Sequence, residues 1–203
     1  MPSGKSAEND TNHMNFKNAV QRSAVIIVIL ALSLLIGYAY HFLGHQMDLR
    51  SHPREYSEYV TKYSAQYGVP EYVVYAVIHQ TSGFQSNKVS DDGRIGLMQL
   101  TPETFRSLTA ITREELDTGI LYDPETNIKY GTYYLSYLFT EHSRWKTVLS
   151  VYLYDTDTVE AWCEDAGNTD ENGNLIRIPD SDAREKVEKA EETVELYQSL
   201  YYS

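Results

Sequence analysis

The chain has one cysteine, Cys163, so an intrachain disulfide is excluded. Cys163 has no His or Cys partner at metal-ligand spacing, so no metal site is expected and the role of a small buried apolar residue suits it. Basic residues are also short, with 17 Lys and Arg against 29 Asp and Glu, a net charge of −12. Nucleic-acid phosphates need Lys and Arg, so no nucleic-acid partner is expected. The same deficit disfavours simple attraction to anionic lipid headgroups. No repeat of fixed period occurs, and strand-period alternation is scarce.

With 203 residues and 42% hydrophobic content, the chain can build one core plus a tail or anchor. Tyrosine is abundant, with 18 copies. Tyrosine suits a sugar-binding face, although scattered on helices it more often forms the edge of a core.

Residues 1–22 are polar without an apolar period and read as a disordered tail. Residues 24–43 then run AVIIVILALSLLIGYAYHFL without Asp, Glu, Lys or Arg. Twenty helical residues span roughly the 30 Å hydrocarbon core of a bilayer. Tyr38, Tyr40 and His41 lie near the outer end, where amphipathic rings favour the interface. The rival reading is a cleaved signal peptide with Gly37 and Ala39 before the cut. The long polar lead and the continuing apolar run favour an uncleaved signal anchor. Basic residues on both sides leave the orientation open: Lys5, Lys17 and Arg22 before, Arg50, Arg54 and Lys62 after. The expected organisation is a tail over 1–22, a single transmembrane anchor over 23–44 and one soluble domain over 45–203.

That domain reads as mainly α with a small irregular or β element. A helix is expected from Pro53 to Gln66, ended by Gly68. Pro70 opens a second, whose Val74, Val77, Ile78 and Thr81 share one face. Residues 83–94 are loop, and Thr101-Pro102 starts another helix. Thr112-Arg113-Glu114-Glu115 matches a capping box. Asp123-Pro124 starts a longer helix with Ile128, Gly131, Leu135 and Leu138 on one face; Gly131 there allows close helix contact. Trp145–Tyr154 is expected as a buried helix, Asp157–Glu164 as a helical piece, and Asp182–Tyr201 as an amphipathic last helix.

Two stretches are distinctive, Ala76–Phe84 and Gly96-Leu97-Met98-Gln99-Leu100-Thr101-Pro102. With Tyr67-Gly68-Val69-Pro70 before them, and Asp123-Pro124-Glu125-Thr126-Asn127-Ile128, Gly131 and Ile178-Pro179 with Arg184 after, they resemble the soluble lytic transglycosylase (SLT) domain family. That resemblance covers about residues 50–200 and implies a lysozyme-like fold of the goose type. It implies peptidoglycan glycan strands as the ligand, an extracytoplasmic location and no cofactor. In the family one glutamate protonates the leaving glycosidic oxygen. It then takes the proton of the muramyl 6-hydroxyl, leaving a 1,6-anhydro product.

The catalytic glutamate of the family falls on Thr81. A threonine hydroxyl cannot deliver or hold that proton, and general acid–base catalysis contributes about 10²–10⁴-fold. Where the family has Ala-Tyr-Asn-Ala-Gly, this chain has Val151-Tyr152-Leu153-Tyr154-Asp155, which keeps only Tyr152. Where the family has a tyrosine after its Arg, this chain has Lys186. The resemblance therefore implies a domain that keeps the fold without the chemistry, binding peptidoglycan or a cell-surface protein. Ser82, Met98, Gln99 and Tyr152 are the expected substrate contacts, although Met98 and Gln99 serve equally well to hold a turn. Asp91, Asp92, Asp155 and Asp157 are expected at the cleft, and Asp155 is the best substitute acid if lytic activity remains. A carboxylate in a wet loop stays ionised, however, and fails as an acid. His79 and Gln80 neighbour Thr81 in sequence and are expected on other helix faces.

Overall fold

The structure is a computed structural model that describes residue 28 and residues 30–203. The chain divides into two compact units between Ser51 and His52. The expected tail over 1–22 and the first residues of the apolar run, 24–27, lie outside the described residues.

In the first unit, helix α1 covers residues 30–51. Leu30, Leu32, Leu34, Leu35, Ile36, Phe42, Leu43 and Met47 are exposed on it. Among the described residues no helix is long and apolar enough to cross a membrane. The transmembrane helix expected over 24–43 is therefore not found there. Within the described residues the helix runs on past Leu43 into Gln46, Asp48 and Arg50.

In the second unit α3 (Glu71–Thr81) is the axis. Val73 to Ile78 are all buried, on every side of the helix, the pattern of a core helix rather than a surface one. Each valine and the isoleucine among them is worth about 1.5–3 kcal/mol of burial. Helix α3 lies against α2 (Ser57–Tyr67) and α8 (Ser181–Tyr201), α2 against α5 (Pro124–His142), and α6 (Trp145–Leu153) against both α5 and α8. Helices α4 (Pro102–Thr112) and α7 (Thr156–Cys163) complete the unit, with 3₁₀ turns at Thr118–Tyr122 and Ala166–Asn168. Pairing between extended segments is limited, among the described residues, to the isolated bridges Val89–Ile95, Ile95–Leu100 and Thr169–Leu175.

The helix ends follow local chemistry. Thr101 and Asp123 accept from the backbone N–H of Thr104 and Thr126, with Pro102 and Pro124 in the first turn. Asp155 and Asp180 cap α7 and α8 in the same way. Two expected starts differ. Helix α2 begins at Ser57 behind Tyr56, not at Pro53. The capping box at Thr112 does not form, because Thr112 ends α4 and Arg113 turns left-handed at φ 58°. Next to it the Glu114 carboxylate pairs with the Lys129 ammonium at 2.7 Å.

The last helix also fastens the first residues of its own unit. Tyr197 and Tyr201 donate their hydroxyls to the carbonyls of Pro53 and His52, at 2.9 and 2.7 Å.

The Gly-Leu-Met-Gln turn is anchored by α5 and α6. Asn127 accepts from the Met98 N–H at 2.7 Å and donates to the carbonyls of Ile95 and Leu121, at 2.9 and 2.8 Å. Tyr152 donates its hydroxyl to the Met98 carbonyl at 2.9 Å. Gly131 is the seat of Met98: a Cβ there would lie 2.4 Å from the Met98 sulfur. The close approach expected of Gly131 is thus to the turn rather than to another helix. Gly96, at φ +82°, faces the Asn127 amide so closely that a Cβ would lie 2.2 Å from its nitrogen.

Candidate functional site

Thr81 is the last residue of α3 and lines a cavity of about 280 Å³ with Gln80, Lys88, Asp92, Gln99, Leu153 and Lys186, among others. Its hydroxyl points back into the fold, against the Val77 carbonyl at 2.7 Å and the Leu97 carbonyl at 3.1 Å. The Thr81 carbonyl accepts from the Lys88 ammonium at 2.6 Å. The Thr81 side chain, where the resemblance places the family's glutamate, therefore serves the turn behind it.

Arg94 divides this cavity from a larger groove of about 510 Å³ and lines both. Its guanidinium donates to Asp92 and to the Tyr152 carbonyl, both at 2.9 Å, and to the Tyr154 carbonyl. The last two are free carbonyls at the C-terminal end of α6, where a cation is favoured. The groove beyond is walled by Thr101, Glu103, Ile111, Tyr134, Tyr137 and Asp155.

The expected site residues are dispersed. Thr81 and Gln99 share the small cavity; Tyr152 and Asp155 line the groove. Gln99 stands at φ 51° and spends its amide N–H groups on the carbonyls of Lys88 and Gly96, at 3.0 and 2.8 Å. Ser82 lines neither hollow: it is buried and donates its hydroxyl to the Ile78 carbonyl at 3.0 Å. Met98 is fully buried on Gly131. Tyr152 is buried too, and burial pushes its phenol far above the usual range, so it acts as a neutral donor to the turn.

The carboxylates are occupied as well. Asp155 accepts from the N–H and the hydroxyl of Thr158, at 2.7 and 2.8 Å. Asp157 lies with it in the groove. Asp92 is the one carboxylate lining the small cavity. The Ser90 hydroxyl and then the Arg94 guanidinium hold its carboxyl below the usual range, against the opposing effect of burial. That favours the ionised form, which has no proton to give. Cys163 is half-buried against the core, and burial pushes its thiol up. Among the described residues no group of three or more His, Cys, Asp or Glu is placed to hold a metal ion.

Three residues of the small cavity escape a reading of the sequence. Gln80 faces it, contrary to expectation, while also donating to the Thr193 hydroxyl across α8. Lys88 and Arg94 join it from the loop. Their signal in the sequence is faint, two cations six positions apart in an acidic chain.

The comparisons agree with this architecture. The solved 70 kDa soluble lytic transglycosylase of Escherichia coli superposes with a TM-score of 0.67 at 22% identity, over 81% of this chain and 30% of that one. A 70 kDa soluble lytic transglycosylase in complex with bulgecin A gives 0.66 at 25% identity, over 75% and 25%. Membrane-bound lytic murein transglycosylase C of Edwardsiella ictaluri (strain 93-146) is 30% identical over 110 residues, which is 53% of this chain and 30% of the relative. Its counterpart in Yersinia pestis (strain Pestoides F) is 34% identical over 97 residues, 46% of this chain and 26% of the relative. The chain thus spans less than a third of the length of these relatives. The Transglycosylase SLT domain family model matches residues 58–174, from the start of α2 to the turn after Asn168. Because that match takes in α3, the Gly-Leu-Met-Gln turn and the Asn127 anchor and covers more than half of the sequence, the chain belongs to the transglycosylase SLT domain family.

Proposed function

We propose that this SLT domain binds peptidoglycan strands at the cell surface without cutting them. The observation behind this reading is Thr81. The position that needs a proton-donating carboxyl carries a hydroxyl tied to the carbonyls of Val77 and Leu97. The family's reaction needs one group that is first neutral and then ionised, in a partly apolar site. Asp92 and Asp155, the nearby candidates, are committed to Ser90 and Arg94 and to the cap of α7. The groove keeps a sugar-sized volume with tyrosine walls. The names of the solved and curated relatives, lytic transglycosylases all, support peptidoglycan as the ligand.

Membrane association belongs to the same proposal. The apolar run over 24–43 and the word "membrane-bound" in the relatives' name support it. The domain would then work from an anchor, on the extracytoplasmic side.

The test is incubation of the full chain with purified insoluble peptidoglycan, followed by sedimentation and product analysis. The expected result is co-sedimentation without release of 1,6-anhydro products. Products that vanish in Asp155→Asn would instead establish a working enzyme with a displaced acid. Absence of sedimentation would leave a protein-assembly module.

A further inference from the structure

The cavity beside Thr81 holds more positive charge than the fold consumes. Lys88, Arg94 and Lys186 line it against Asp92. Arg94 is committed to Asp92 and to two carbonyls of the α6 end. Lys88 reaches the Thr81 carbonyl at 2.6 Å and makes no ion pair among the described residues. Lys186 makes neither a hydrogen bond nor an ion pair among them; its ammonium lies 5.0 Å from the centre of the Tyr154 ring. Once Asp92 is matched with Arg94, two ammonium groups face one cavity without a carboxylate. Burial, and then Arg94, press the Lys186 ammonium towards a lower pKa, with Asp92 opposing. An arriving anion relieves that repulsion and forms charge-assisted hydrogen bonds, roughly twice as strong as neutral ones. Leu153 supplies an apolar wall that lowers the local dielectric.

We propose that this cavity is a carboxylate-binding pocket, in which the ammonium groups of Lys186 and Lys88 hold a free carboxylate of the peptidoglycan strand. Its volume of about 280 Å³ falls at the lower edge of small-molecule sites. It fits a single head group, not a disaccharide. Two carboxylates share this chemistry: the lactyl group of a muramyl sugar without its peptide, and the terminus of a stem peptide. The ligand's source rests on the glycan-binding reading above; the pocket's chemistry does not.

The experiment is calorimetric titration of the full chain in detergent micelles. The probes are N-acetylmuramic acid against its methyl ester, and a short peptide ending in D-alanine against its amide. One carboxylate probe is expected to bind at least ~10-fold more tightly than its neutral partner, and which one it is names the source. Lys186→Met is expected to abolish the preference and Lys186→Arg to keep it, with unchanged melting temperatures showing that both variants fold. Equal binding of charged and neutral probes by the natural chain, or a preference untouched by Lys186→Met, overturns the proposal. If the pocket is overturned while the chain still sediments with peptidoglycan, the glycan reading survives. A preference abolished by Lys186→Met in a chain that does not sediment keeps the pocket and removes the glycan reading.

Discussion

Two hollows share Arg94 and differ in nearly everything else. The groove is walled by Tyr134, Tyr137, Glu103, Asp155 and Asp157, and its volume is nearly double that of its neighbour. The cavity at Thr81 is small and cationic, with Lys88 and Lys186 beside the arginine. The groove has the volume and tyrosine walls that the glycan-binding proposal calls for. The cavity has the charge of an anion site where the family places a proton donor. On the proposed reading, one fold keeps the shape that receives a strand while reversing the electrostatics of the point where the strand would be cut. The two properties are separable because they rest on different atoms. Shape comes from backbone held by Asn127, Tyr152 and Gly131; charge comes from the side-chain tips of Lys88, Arg94 and Lys186.

The largest effect is expected where both hollows share a support. Gly96→Ala forces a Cβ to within 2.4 Å of the Leu121 carbonyl and 2.2 Å of the Asn127 amide, at φ +82°. Overpacking and left-handed strain together cost about 3 kcal/mol, read as a lower denaturation midpoint with loss of binding in both hollows. A fully stable variant would show that the turn is not their common support. Next comes the divider. Arg94→Met strips the guanidinium from Asp92 and from the α6 carbonyls, at a cost of about 2 kcal/mol. It also merges the two spaces. A change below about 0.5 kcal/mol in thermal unfolding would show that water replaces the arginine without loss. The smallest effect is expected for Thr81→Glu, which should leave lytic activity at background. The new carboxyl would enter beside Lys88, Arg94 and Lys186. Three cations favour its ionised form, so its pKa falls when the reaction needs it raised. Release of 1,6-anhydro products by this single variant would show that the cavity's charge does not matter.

The helices were legible because their signals are local. Asp123-Pro124 and Thr101-Pro102 mark α5 and α4 by side chains that cap within three residues. The apolar run of α3 marks the core just as directly. The false capping box at Thr112 shows the limit of that reading. The pattern was present, but α4 ends at Thr112 and Arg113 turns left-handed, so no helix starts there for it to cap. The site was less legible because its determinants are distant in the chain. Arg94 acts on carbonyls 58 and 60 positions away, and a carbonyl leaves no mark in a sequence. Ser82 and Met98 occupy motif positions yet turn inward, since a motif records that a residue matters and not whether it faces ligand or scaffold. Lys186 reads as a lost tyrosine until the structure sets it opposite Lys88.

The phenolic clasp at the entry to the domain has a mechanical consequence. Residues 52 and 53, just after the boundary between the units, are held by Tyr201 and Tyr197, about 150 positions later in the chain. Tension arriving through residue 51 meets two hydroxyl bonds to one helix, and that helix lies along α3. Load taken up by those bonds enters α8, which packs on α3. A domain pulled by its leading end would therefore load the small cavity, which Gln80, Thr81 and Lys186 of that pair line, before the groove.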